Sequence, residues 1–147
     1  MTPIRSFDDL SVGHSFDLGS FALPRAEVLD FAARYDPQPF HLDDAAEREA
    51  PFRERLASGL HTLSATFGHV RRTGLIAEVS LGGGAVELKW PAPLRPDERV
   101  GLRITVEELR ASRSKPGVGI AKLRYLVARE ADGVVVLDAL CTHFMRR

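Results

Sequence analysis

An α+β fold is predicted by two rhythms in the chain and by one hairpin signal. Apolar residues recur every three or four positions in two segments before residue 75, and they alternate with polar ones in several segments after residue 85. An Asp-Gly pair separates the last two alternating runs. Helical segments first and long strands afterwards, in 147 residues, fit one α+β domain over 1–147.

The first element is a short strand near Ser15 to Phe21. "PRAEVLDFAARY" follows, with Val28, Phe31, Ala32 and Tyr35 at helical spacing and Pro24 tolerable in the first turn. This helix cannot pass Asp36, because Pro37 and Pro39 disfavour helical dihedrals before them and lack an amide donor. "LDDAAEREA" is expected to add one or two turns of surface helix, limited by Pro51. In "SGLHTLSATFGHVRR" the stripe Leu60, Leu63, Phe67 and Val70 predicts a second helix, with Arg71 and Arg72 suited to its C-terminal end and Gly74 to its stop. It is apolar enough to be wrapped by a curved sheet, although the pattern alone does not make it central.

Gly82 to Gly84 are expected to form a turn or loop. "AVELKWP" then puts Val86, Leu88 and Trp90 on one side of a strand, with Trp90 and Phe144 expected as core or interface aromatics. "VGLRITV" alternates Val100, Leu102, Ile104 and Val106 with polar or small residues, and "GIAKLRYLVARE" and "VVVLDALCTHFMRR" supply the last two strands. "EADGVV" predicts a hairpin between them with a type I′ turn, which needs two positive φ angles.

Twenty Lys and Arg balance twenty Asp and Glu, so no surplus positive charge is available to neutralise a nucleic-acid backbone. The N-terminal residues carry acids where a signal peptide has its apolar run, and no window has membrane-spanning length. The lone Cys141 forms no intrachain disulfide and sits in an apolar run, as a small buried hydrophobe does. A cytoplasmic protein without nucleic-acid or membrane partners is expected. No HExxH, CxxC or compact His/acid cluster predicts a metal, and the glycine triplet is not followed by the Lys-Ser/Thr of a phosphate loop.

The chemistry concentrates in "RYDPQPFHLDD". Asp36 and His41 would start about 15 Å apart in a fully extended segment. A chain that turns at Phe40 would instead point both at one cavity, on a loop already stiffened by prolines. An imidazole beside a carboxylate can take a proton from water near neutral pH and return it, which suits addition or removal of water. The residues alone equally allow Asp36 to satisfy nearby amides and His41 to cap the following turn.

Preceded by "FAARY", the string "YDPQPFHLD" resembles the D-x-N-P-x-H motif of the MaoC-like dehydratases and (R)-specific enoyl-CoA hydratases. "PFRERLASGLHTLSATF" is similar to that family's segment leading into its central helix, and "SRSKPGVGI" is weakly similar to a later strand. The resemblance implies a hot-dog fold, a curved antiparallel sheet around one long helix, paired as a homodimer. It implies Asp36 and His41 as the catalytic pair and the Gly59 N–H as the donor to a thioester carbonyl. Gln38, Ser58, Leu60 and Ser64 become candidates for contact with substrate, and Arg113 and Lys115 for the phosphates of coenzyme A. The implied substrates are trans-2-enoyl or 3-hydroxyacyl thioesters of coenzyme A or acyl-carrier protein, with no cofactor beyond the coenzyme A of the substrate itself. This sequence departs from the family at Gln38, where many hydratases carry Asn, at "SGLH", which replaces "HGM", and at Phe67, where some place a serine that holds the aspartate. Ser64 is the expected substitute. A hot-dog thioesterase and a non-catalytic acyl-CoA-binding module remain the alternatives.

Overall fold

The computed structural model describes residues 2–42 and 54–147, so most of the surface helix expected in "LDDAAEREA", together with Pro51, lies outside the described residues. Five strands form one antiparallel sheet in the order β1-β3-β4-β5-β2. They are β1 (Ser15–Ala22), β2 (Ser80–Lys89), β3 (Arg99–Ala111), β4 (Val118–Arg129) and β5 (Val135–Arg146). Among the described residues three α-helices precede β2: α1 (Arg25–Tyr35), the single turn α2 (Pro39–Leu42) and the long α3 (Gly59–Thr73). This is the architecture of the hot-dog fold.

Period-two patterning puts one face of the long strands inside. Val100, Leu102, Ile104 and Val106 on β3 are buried with Ala121, Leu123, Tyr125 and Val127 on β4 and with Ala139, Cys141, His143 and Met145 on β5. Against this face lies α3, closed by Gly74, which adopts a left-handed φ of 76° as its C-terminal stop. An unforeseen 3₁₀ turn, Phe7–Asp9, is fixed by a capping box from Ser6 and Asp9. It presses the Phe7 ring onto Gly119, where a Cβ would meet the ring at 2.2 Å, so only glycine fits there.

Four local expectations need correction. The buried stripe of α3 is Thr62, Thr66 and Val70 with His61; Leu63 and Phe67 are half-buried, and Leu60 is exposed. Thr62 and Thr66 can be buried because each hydroxyl donates to the carbonyl four residues earlier, at 3.4 and 2.7 Å. In α1, Val28 and Ala32 are buried as expected, but Tyr35 is exposed at the helix end.

Secondly, Gly82 to Gly84 lie within β2, not in a loop ahead of it. Two register shifts against β5 mark bulges there, and Gly82 takes a φ of 146° that side chains rarely adopt. Thirdly, β4 and β5 are joined by a five-residue loop, Glu130 to Val134, rather than a type I′ turn. Only Gly133 has positive φ, because the Asp132 carboxylate is held by Arg129 and by the Val134 N–H. Lastly, Trp90 leaves the sheet and is 46% exposed, so of the core or interface role expected for it only the interface half fits.

Candidate active site

Two proline-braced segments meet at the N-terminal end of α3. The first is Asp36-Pro37-Gln38-Pro39. Asp36 caps α1, with its N–H donating to Ala32 O at 3.0 Å, and the chain then folds back through Gln38 N–H to Asp36 O (2.7 Å) and His41 N–H to Gln38 O (2.9 Å). This turn, continued by α2, brings His41 Nε2 to 3.4 Å from Asp36 Oδ2. The expected convergence of acid and imidazole is present. Arg55, itself buried, donates to Leu42 O at 3.1 Å and steadies the exit from α2.

The neighbours fix the state of each partner. Asp36 Oδ2 accepts from Ser58 Oγ at 2.6 Å, and Oδ1 accepts from Gln38 Nε2 at 2.8 Å. Partial burial alone would push the Asp36 carboxyl up, but the bonds from Ser58 and Gln38 and the attraction of His41 outweigh it and hold the group below its ordinary value. His41 Nδ1 lies 2.7 Å from Leu56 O, which can only accept, so Nδ1 carries the hydrogen. In the neutral ring Nε2 therefore keeps its lone pair, and it faces the carboxylate. With the ring neutral, the two acceptors 3.4 Å apart can share the two O–H groups of one water; with the ring protonated, Nε2–H faces Oδ2 directly.

Ser58 has a second consequence. It occupies the N-cap of α3, yet its hydroxyl makes no cap bond because it is committed to Asp36. The first intrahelical bond into the segment is Thr62 N–H to Ser58 O, so the amides of Gly59, Leu60 and His61 have no intrahelical partner. These amides, at the positive end of a 15-residue helix, favour an anionic oxygen.

The second segment is Trp90-Pro91-Ala92-Pro93, which leaves β2 and crosses over α3. Leu94 O accepts from Ala57 N–H at 2.8 Å, and Arg129 donates to Pro93 O at 3.2 Å, anchoring the crossing on both sides. Its indole rests on Gly59: Nε1 donates to Gly59 O at 3.0 Å, and a Cβ on Gly59 would lie 2.5 Å from the ring. Between the two segments opens a cavity of about 430 Å³, walled by Asp36, Gln38, His41, Gly59, Leu60, Thr62 and Trp90 with Leu56, Leu94 and Val136 among its apolar residues.

The remaining candidates are placed differently. Ser64 donates to Leu60 O at 2.9 Å on the exposed side of α3, and it is Ser58 that bonds Asp36. Phe67 packs on Tyr125 and His143. His61 lies off the cavity, stacked on Phe31 with ring centroids 4.6 Å apart. Arg113 and Lys115 sit in the β3–β4 connection, some nine residues of β4 from the cavity end, about 30 Å at 3.3 Å per residue. Lys115 borders a separate cavity of about 380 Å³ with Leu81 and Phe144, so one chain does not bring these cations to Asp36. Trp90 was the residue that sequence reasoning missed. Its signal was the repeat of the bracing pattern, D-P-Q-P in one segment and W-P-A-P in the other.

Comparison with known proteins places the fold. Residues 10–127 match the MaoC like domain family. A MaoC-like dehydratase from Rhodospirillum rubrum superposes with a TM-score of 0.87 at 33% identity, covering 95% of each chain. The (R)-hydratase from A. caviae involved in PHA biosynthesis shares the fold at a TM-score of 0.71 and 24% identity, over 93% of this chain and 96% of that one. A Mycobacterium tuberculosis protein described as a double hotdog fold matches at a TM-score of 0.77 and 24% identity, with 96% of this chain covering 44% of it. The chain belongs to the MaoC-like family, with the hot-dog fold of hydratases and dehydratases.

Proposed function

We propose that the protein reversibly hydrates trans-2-enoyl thioesters to 3-hydroxyacyl thioesters carried on coenzyme A or acyl-carrier protein. The observation that carries this reading is the pair of acceptors, Asp36 Oδ2 and His41 Nε2, 3.4 Å apart in a largely apolar cavity that the unpaired amides of α3 also border.

A water held by both acceptors attacks Cβ. His41 Nε2 takes one of its protons, the new C–O bond forms, and the π electrons move to the thioester oxygen. That oxygen, facing the Gly59 N–H, carries the charge of the enolate. The enolate collapses as the imidazolium of His41 returns its proton to Cα, so one water is consumed, the ring is neutral again, and no redox partner or cofactor is needed beyond the coenzyme A of the substrate. Asp36 stays ionised, orients the water and favours the imidazolium that forms beside it.

An exposed sheet edge supports a homodimer. Among the described residues β2 is an edge strand, paired with β5 on one side, and Leu81, Val86 and Trp90 are exposed along and just beyond it. Among the described residues no helix is long and apolar enough to cross a membrane. In such a dimer the partner's copy of the Arg113–Lys115 connection is available to the phosphates that one chain's own copy does not reach.

The test supplies purified protein with a series of trans-2-enoyl-CoAs and follows loss of the conjugated double bond and release of free thiol in parallel. Hydration without thiol release is expected. Thiol release would identify a thioesterase, and binding without either would identify an acyl-CoA-binding module.

A further inference from the structure

We infer that Trp90 is a positioning residue for the charge-stabilising end of the site, acting through the Gly59–Leu60 peptide; the inference rests on the hydratase reading above. The indole does two things to one residue. Its Nε1–H donates to Gly59 O at 3.0 Å, and its ring fills the space that a Cβ on Gly59 would occupy.

Gly59 O and Leu60 N belong to the same peptide plane. A hydrogen bond accepted by the carbonyl draws electron density toward oxygen and leaves the N–H of that plane a stronger donor, as in cooperative hydrogen-bond chains. That N–H, on Leu60, is one of the three at the start of α3 without an intrahelical partner. The bond to Trp90 therefore fixes the tilt of the first turn and strengthens the Leu60 donor next to the Gly59 donor, where negative charge builds up only as the thioester becomes an enolate.

Trp90 is itself well placed to hold this plane. Pro91 restricts its backbone to extended conformations, and the crossing segment is tied to Ala57 and Arg129 a few residues on. The φ of Gly59 is not in the left-handed region, so it is the indole, rather than a backbone requirement, that demands glycine there. Trp90 thus lines the cavity and sets its donors, while Asp36 and His41 hold the water.

The experiment compares wild type with Trp90→Phe, which keeps an aromatic ring and removes the N–H. With a trans-2-enoyl-CoA substrate, kcat is expected to fall about tenfold while KM stays within about threefold, since the interaction strengthens mainly in the transition state. A binding readout runs beside it: acetoacetyl-CoA, titrated in complex with each protein, reports by its enolate absorbance how well the site holds a negative thioester oxygen. Its bound enolate is expected to form about one pH unit higher on Trp90→Phe, equivalent to that tenfold loss. A third measurement uses Gly59→Ala, expected to be far more damaging with Trp90 present than in a Trp90→Ala background, where the space is free.

Wild-type kcat and an unchanged enolate titration in Trp90→Phe would overturn the inference. If wild type itself hydrates nothing, the functional reading fails. The enolate titration then still decides whether Trp90 sets the donors.

Discussion

His41 and His143 are both buried, 5% and 1% exposed, and each has one ring nitrogen engaged at 2.7–2.8 Å. His41 gives Nδ1–H to a backbone carbonyl, and its other nitrogen opens on a cavity beside a carboxylate. His143 spends Nε2 on the hydroxyl of Tyr125, while its Nδ1 is buried without a partner and Phe67 packs near the ring. Burial, and then the positive charge of Arg71, push His143 down to about 4, so it stays neutral at ordinary pH. Burying an imidazole does not make it a base; what matters is whether the engaged nitrogen leaves the other one facing space that water can enter.

The widest way to break this comparison is to disable the open pair. Asp36→Asn and His41→Ala should each lower kcat for enoyl-thioester hydration by about 10²–10⁴-fold, the range for a positioned acid or base. Circular dichroism should show both variants folded. Near wild-type rates in both would mean that the water is activated elsewhere.

Next comes the closed pair, whose signature is stability and not rate. His143 has a folded value of about 4 against an ordinary 6.5, so between these pH values the unfolded chain binds a proton that the folded one refuses. The full contribution is present above 6.5 and is lost as pH falls toward 4, on the order of 3 kcal/mol. Replacing both partners, Tyr125→Phe with His143→Phe, should remove that loss in urea unfolding at pH 4.5 and leave hydration near wild type. A double variant with an undiminished acid loss would show that another group carries it.

Much of this contrast could be read in the sequence, though not all of it. The strands and their inward faces were legible because burial on one side of a sheet forces alternation, and the turn after Asp36 because Pro37 and Pro39 end α1 there, Pro39 being tolerated as the first residue of the single turn α2. The stripe of α3 was misread because threonines can be buried when they bond their own helix. The partners of Ser58 and Trp90 were hidden for another reason: the W-P-A-P repeat marks the segment of Trp90 but not its contact, and both side chains reach groups 22 and 31 residues away.

Smaller effects sharpen the account of the open pair. Ser58→Ala removes the 2.6 Å bond to Asp36, so the carboxyl should titrate higher and the acid limb of the kcat/KM profile should move to higher pH, with little change in rate on the neutral plateau. An unmoved limb would show that Ser58 does not control the carboxylate. Ser64→Ala should change kcat less than about twofold, because the hydroxyl serves only its own helix. A large drop would place that side of α3 in the reaction after all.

Trp90 is the chain's one tryptophan, and it stands at the cavity wall with nearly half of its surface in solvent. Excited beyond the absorption of its two tyrosines, the protein therefore emits from a single fluorophore at the site. A thioester that displaces water from the indole should shift that emission to the blue, so occupancy can be followed without a label and in variants that no longer turn over.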